Sequence, residues 1–373
     1  MNWVAAASSV QWGIQPFIDG RYRTSAAIDL VDNVNPATEK ALCQVCVGNS
    51  ADVDAAVRVA RQRFDDGSWC NLPSGKRIEI LLRLVPEGVL NVVPCLGPTV
   101  GAALALHPEI DLLSFTGSTS TGRRLQELAG RLNGKPLLLE CGGKSPQIVF
   151  NDVDDLDVVA DTAVQSAMWN QAQVCIGRTR LFVHEDIKRP LLQKVLSRAA
   201  RYLPGDPLNE ATIFGPLGSP AQRVRVGGYI EQGLKEGADA VLKGTIQAAG
   251  GCYVSPTIFD RVENSMFIAR EEIFGPVPCV QSFATDEEAV TLANETQYGL
   301  AATVWTRDIQ RGRRMVRANR AGSIYIRSSG HEDLESPFLL GYEPQKASGF
   351  GSELGREGLE SYSTLKAVAF LGS

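Results

Sequence analysis

Residues 110–115, Ile-Asp-Leu-Leu-Ser-Phe, pass without a spacer into Thr116-Gly-Ser-Thr-Ser-Thr-Gly122 and then into a segment reaching Gly130. A short apolar run bounded by turn formers reads as a buried strand, and the glycine-bearing turn after it opens a helix. The rest of the chain keeps this alternation. Leu156, Val159, Ala160, Ala163, Val164, Ala167 and Met168 recur at helical spacing. Thr285-Asp-Glu-Glu288 is a capping box that opens a helix before Asn294, and Tyr298–Trp305 reads as a strand beyond it. Alternating helices and strands place the chain in the α/β class.

The amino-terminal part predicts a strand and turn over Pro16–Gly20, a loop over Asp32–Thr38, and a helix capped by Ser50. That helix carries the stripe Val53, Ala56, Val57, Ala60, Phe64. Pro86–Pro94, followed by Gly97-Pro98 and Gly101, reads as helix end, strand and helix start. Ser328–Gly349 is rich in turn formers and reads as an arm across the surface. No repeat or low-complexity run interrupts the pattern.

A length of 373 residues with 44% hydrophobic and 21% charged content suits two or three domains. A net charge of −5 and a pI near 5.5 give no basic footprint, so nucleic acid and anionic membrane surfaces are not expected partners, and small molecules remain. Eight cysteines are scattered along the chain, and three histidines are too few for a convincing zinc site. Cys43 and Cys46 stand in a predicted strand and turn, where two small buried hydrophobes account for them better than a redox pair. Met1–Gly13 lacks a basic start and long apolar run, and no stretch of about 20 apolar residues spans a bilayer. A cytoplasmic location is the expectation.

The chemistry concentrates in two runs. Leu137-Leu-Leu-Glu-Cys-Gly-Gly-Lys-Ser-Pro146 places Glu140 after an apolar strand and before two glycines. Trp169-Asn-Gln-Ala-Gln-Val-Cys-Ile-Gly-Arg-Thr-Arg180 places Cys175 on a loop after a helix. A thiol attacks carbonyl carbon as thiolate, and a nearby carboxylate takes its proton or activates water to hydrolyse a thioester. The two runs, in this order, closely resemble the signatures of the aldehyde dehydrogenase superfamily.

The resemblance implies an aldehyde dehydrogenase-like α/β fold: a truncated Rossmann-type cofactor domain over 1–141, an α/β catalytic domain over 142–335, and a carboxy-terminal arm over 336–373. It implies an oxidoreductase that converts an aldehyde to a carboxylic acid with NAD, or NADP, through a thiohemiacetal and a thioester on Cys175, with Glu140 as base. Hydride would pass to nicotinamide, and the family's habit suggests a homo-oligomer. The Gly117–Gly122 loop resembles the family's pyrophosphate loop, with Gly117, Ser118, Thr121 and Gly122 as cofactor contacts beside Gly97, Pro98 and Gly101. Glu272 and Phe274, in Arg270-Glu-Glu-Ile-Phe-Gly-Pro276, match positions that hold the nicotinamide ribose and pack near the ring. Gln222 and Arg225 align with further ribose contacts, or stand as solvated helix-face residues.

Several features depart from the family. The helix containing Lys76–Leu84 should continue for about 120 residues before the Pro-Glu-Gly-Val segment, yet Leu84 runs directly into Val85-Pro86. The absent stretch would carry part of the dinucleotide sheet, an oligomerisation hairpin, the oxyanion-hole asparagine and the acidic residue that separates NAD from NADP. Ala172 stands where the family has glycine, and alanine is strained at positive φ. Val-Asn has become Ile326-Arg327, a candidate for selecting an acidic substrate, and Pro-Phe-Gly-Gly-Tyr-Lys has become Pro337-Phe-Leu-Leu-Gly-Tyr-Glu343. A cofactor-independent thiol esterase and a catalytically weakened, partner-binding relative are the alternative functions.

Overall fold

The computed structural model describes residues 2–25, 29–69, 71–73, 75–76, 87–131, 133–245, 250–328 and 340–371. The Leu84–Pro86 junction, the helix proposed to run up to it, and Pro337 to Leu339 lie outside these residues. The chain divides into two compact units. Unit 1 comprises 1–35, 40–113 and 123–137, and unit 2 comprises 36–39, 114–122 and 138–373.

In unit 1, strand β1 (Leu30–Asn35) pairs antiparallel with β2 (Lys40–Cys46), with a register slip between Asn33 and Val34. The loop expected over Asp32–Thr38 is therefore strand through Asn35, because backbone pairing with Lys40–Cys46 outweighs its turn-forming composition. Helix α1 (Ser50–Asp65) starts at the expected cap residue itself and is capped one residue earlier. Asn49 is the N-cap, accepting from Ala51 N–H and Asp52 N–H, and Asp52 accepts from Asn49 N–H in return. Val53 and Val57 pack with Val100, Val93, Leu104 and Ile110. Phe64 of the predicted stripe instead lies 59% exposed, with the Arg61 guanidinium over its ring.

Unit 2 is built on a seven-stranded sheet. Its strands, in chain order, are β5 (Pro146–Val149), β6 (Arg180–His184), β7 (Asp239–Leu242), β8 (Ile258–Asp260), β9 (Cys279–Phe283), β10 (Ala301–Trp305) and β11 (Ser323–Arg327). Their spatial order is β11-β10-β5-β6-β9-β8-β7, all neighbours parallel except the antiparallel β7 edge. Helices cover both faces, as a parallel sheet requires. Val149, Leu181, Val183 and Val280 point to one side, against α3 (Leu156–Met168) and α4 (Glu185–Ala199). Ile148, Phe182 and Phe283 point to the other, against α6 (Asp286–Asn294) and α7 (Ile309–Ala318). This alternation is the two-residue period of a pleated strand.

The expected strand over Tyr298–Trp305 breaks in two. Tyr298–Gly299 pairs with Gln345–Lys346, and Leu300 leads into β10. The arm is thus partly strand rather than plain loop. A smaller sheet joins β3 (Leu113–Thr116), β4 (Leu137–Glu140) and β12 (Gly349–Phe350) in the order β12-β4-β3. Among the described residues no helix is long and apolar enough to cross a membrane.

Arg180, on β6, is fully buried. Its guanidinium donates to the carbonyls of Lys144 at 2.7 Å, Leu292 at 3.1 Å and Ala293 at 2.9 Å. Two of these carbonyls belong to the carboxy-terminal end of α6, where a cation is favoured. Burial lowers the guanidinium to about 9, so it stays charged at neutral pH. Arg180→Met strips three buried carbonyls of their donor and is expected to cost about 3 kcal/mol or more, read as a lower urea midpoint; a loss under about 1 kcal/mol would contradict the capping role.

Candidate active site

Glu140 ends β4. Its backbone pairs with Gly349 on β12, and its carbonyl accepts from Gly117 N–H at 2.9 Å. The side chain is 5% exposed, and neither carboxylate oxygen has a hydrogen-bond partner among the described residues. Burial is the largest influence and raises the carboxyl to about 7. The Tyr342 phenol opposes the rise, near the carboxylate but short of a well-formed hydrogen bond, and the Glu353 carboxylate adds to it.

The two glycines that follow are there because of what lies against them. A Cβ on Gly142 would run into the Glu272 carboxylate, and one on Gly143 into the Cys175 carbonyl. Gly143 N–H donates to Glu272 Oε1 at 3.0 Å. Ser348, fully buried, donates its hydroxyl to Gly142 O at 2.7 Å and accepts from Gly299 N–H at 3.0 Å.

Cys175 lies on the loop after α3, as its sequence context indicates. Before it, Asn170, Gln171 and Ala172 take φ of 50°, 56° and 59°, three successive left-handed residues without a glycine among them. Ala172 therefore holds a left-handed conformation that loads the loop with strain. Burial pushes the half-buried thiol up to about 11, helped by the charges of Glu140 and Glu272; the backbone N–H groups of Ile176 and Cys175 itself counteract this. The thiol rests neutral and needs a base to become a nucleophile.

Glu272 and Phe274 lie on a turn where Phe274 has φ of 56°. From helix α5 (Pro220–Lys235), Gln222 Nε2 donates to Ile273 O at 3.1 Å and Phe274 O at 2.7 Å, and Arg225 donates to Glu272 O at 2.8 Å. Both residues brace the turn from behind. The Gly117–Gly122 loop opens α2 (Thr119–Ala129), with Ser118 Oγ accepting from Thr121 N–H at 3.2 Å. Gly117, Ser118 and Thr121 are exposed, and Gly122 is buried where a Cβ would meet Cys141 Sγ.

Unit 2 thus holds Glu140, Cys175, Glu272, Phe274, Gln222, Arg225 and the 117–122 loop. Gly97, Pro98 and Gly101 belong to unit 1, in a wide helical turn that leads into Ala102–Leu106. Among the described residues Lys144 is buried with no hydrogen-bond partner for Nζ; burial lowers its pKa, and Glu272 and Glu271 act on it as neighbouring charges. Arg327 lies over the Trp305 ring, 5.2 Å from its centroid, and is not among the charges that perturb Cys175.

The aldehyde dehydrogenase family model matches residues 22–85 and 83–368. The chain belongs to the aldehyde dehydrogenase family. It is 43% identical over 284 residues to aldehyde dehydrogenase 1 of Tanacetum cinerariifolium, an alignment covering 76% of this chain and 56% of the relative. The chain therefore spans a little over half the length of the curated relatives it matches. Its fold is that of the family. The aldehyde dehydrogenase KauB from Pseudomonas aeruginosa superposes with a TM-score of 0.92 at 31% identity, and an indole-3-acetaldehyde dehydrogenase complexed with NAD+ with 0.91 at 30%, each covering 98% of both chains. The family model's two segments meet at residues 83–85, where the sequence passes abruptly from Leu84 to Pro86.

Tyr342, Glu353 and the Ile176 N–H were not singled out from this family member's sequence. The arm motif names a tyrosine, but only the folded chain brings it to Glu140.

Two outcomes follow from these environments. Ala172→Gly relieves left-handed strain and is expected to stabilise the protein by about 0.5–1 kcal/mol in urea denaturation. Glu140 binds its proton more tightly folded than unfolded, so it subtracts stability as pH rises from about 4.5 through about 7. Glu140→Gln is expected to raise the urea midpoint above pH 7, by on the order of 2 kcal/mol, and to make no difference near pH 4.

Proposed function

We propose that this chain oxidises an aldehyde to a carboxylic acid with NAD+, NADP+ being the alternative acceptor, through covalent intermediates on Cys175. The observation that carries the proposal is the pairing of a neutral, half-buried thiol, near 11, with a buried carboxyl near 7 in one cluster of unit 2. Glu140 takes the thiol proton, and the Cys175 sulfur bonds to the aldehyde carbon. The carbonyl oxygen becomes an oxyanion, toward which the Cys175 N–H is the available donor. Bound nicotinamide dinucleotide supplies the hydride acceptor. Glu140, having passed its proton on, removes a proton from the water that attacks the thioester carbon, and the Cys175–carbon bond breaks to release the acid.

What favours a dinucleotide is the exposed amino-terminal end of α2, an eleven-residue helix whose cap is Ser118, since such an end attracts pyrophosphate. Ser118, Thr121 and the first N–H groups of α2 would hold the phosphates, Glu272 a ribose hydroxyl, and Phe274 the ring's flank. Gln222 and Arg225 would keep the Glu272–Phe274 turn in place. The NAD+ complex of the similar indole-3-acetaldehyde dehydrogenase supports the same cofactor. The oxyanion-hole asparagine belongs to the segment missing from this chain, and losing one such donor typically lowers the rate by about 10²–10³.

We assign cofactor binding to residues 1–141, catalysis to 142–335 and contact with a second copy to the arm, 336–373. Leu365, Phe370 and Leu371 stand almost wholly exposed at its end, which favours a homo-oligomer. Seven described cysteines are free thiols, which suits the reducing cytoplasm.

The test is nicotinamide reduction by the purified chain with a panel of aldehydes, NAD and NADP separately. Turnover is expected with wild type and none with Cys175→Ala, while Glu140→Gln is expected to accumulate an acyl adduct on Cys175 detectable by intact mass. Folded protein without aldehyde-dependent reduction would overturn the proposal.

A further inference from the structure

Two hydroxyls hold the two backbone polar groups of Gly142. Its N–H donates to Thr119 Oγ1 at 3.4 Å, and its carbonyl accepts from Ser348 Oγ at 2.7 Å. Each hydroxyl is fixed by a further partner. Thr119 Oγ1 donates to Ala347 O at 3.1 Å, so its one proton is directed at the arm and none is left for a phosphate. Ser348 Oγ accepts from Gly299 N–H at 3.0 Å, and Ser348 O accepts from Cys141 N–H at 2.8 Å. The first residue of α2, two adjacent residues of the arm and the glycine turn are thus tied into one hydrogen-bonded ring within unit 2.

We propose that Thr119 and Ser348 are positioning residues for the reaction: by gripping Gly142 from both ends they hold the Glu140 strand end and the Cys175 loop at their working separation. The inference rests on the reading of Glu140 as base and Cys175 as nucleophile. Gly142 lies two residues beyond Glu140, and Gly143 after it lies against the Cys175 carbonyl, so a shift of this turn moves both groups at once. Gly143 N–H carries the same shift to the Glu272 carboxylate. Glycine has no side chain with which to anchor itself, which leaves the two hydroxyls and the strand pairing of Glu140 with Gly349 to fix the turn. Proton transfer and attack depend steeply on such spacing, a displacement of about 1 Å costing up to about 100-fold in rate.

Ser348 is fully buried and its loss strips two backbone groups, so the experiment rests on half-buried Thr119 in the full chain. Thr119→Val keeps the shape and removes the hydroxyl, and Thr119→Ser keeps the hydroxyl. With the aldehyde that the wild type oxidises fastest, Thr119→Val is expected to lower kcat about tenfold while both KM values stay within about twofold, and Thr119→Ser to recover kcat to within about twofold. Full kcat in Thr119→Val, a raised KM for NAD+ in its place, or no recovery in Thr119→Ser would each overturn the proposal. Alkylation of Cys175 by iodoacetamide, followed by intact mass with Cys175→Ala as control, reads the same loosening without turnover. Burial and the charges of Glu140 and Glu272 hold the thiol neutral, so a displaced turn is expected to speed alkylation about threefold at mildly alkaline pH. If the wild type oxidises no aldehyde, the reading of the site fails and the clamp is judged on alkylation alone. Faster reaction in Thr119→Val with a normal rate in Thr119→Ser then upholds it, and equal rates in all three overturn it.

Discussion

A turn without side chains, Gly142-Gly143, is where the working parts of unit 2 meet. Glu140 precedes it, the Cys175 carbonyl and the Glu272 carboxylate press against positions where a Cβ would otherwise sit, and the Ser348 hydroxyl grips its backbone. Any side chain at either glycine would push the thiol loop or the Glu272 turn away. The glycines are needed for close approach rather than for unusual φ, since neither has a left-handed conformation. A main-chain surface thus sets the spacing between Glu140, Cys175 and Glu272.

That closeness has an electrostatic consequence. Glu140, Glu272 and Glu353 crowd one region, and the nearest buried ammonium, Lys144, makes no hydrogen bond to any of them. Negative neighbours and burial together raise both the thiol and the carboxyl. The proton therefore stays on sulfur until it is drawn off, and the carboxyl exchanges its own near neutrality. Strain adds to the same picture. Three left-handed residues before Cys175 and a left-handed Phe274 beside Glu272 are held by their surroundings: Gln173 Oε1 accepts from Gly218 N–H at 2.8 Å, and Gln222 grips Ile273 and Phe274. Strain of this kind is tolerated where packing over-determines the backbone.

The α/β class was legible because helical spacing over Leu156–Met168 and the strand-to-helix turn at Thr116–Gly122 are local signals, and each produced its element. Cys175 and Glu140 stood out as candidates because their flanking residues resemble a family signature. Local reading went astray where a distant partner decides. Asp32–Asn35 looks like loop until Lys40–Cys46 pairs with it. Ser50 looks like a cap until Asn49 and Asp52 bond reciprocally. Phe64 fits a helical stripe, yet it lies 59% exposed with the Arg61 guanidinium over its ring.

Sequence by itself determined the family, since Glu140 and Cys175 stand in short, recognisable runs. It also determined where glycine must stand. Tertiary structure alone decided how those groups are tuned. The Tyr342 phenol and Glu353 carboxylate come to Glu140 through backbone pairing across an arm far along the chain, and the bracing of the Glu272 turn by Gln222 and Arg225 comes through helix α5. Such influences act through distance and burial, and neither quantity is written in the order of residues.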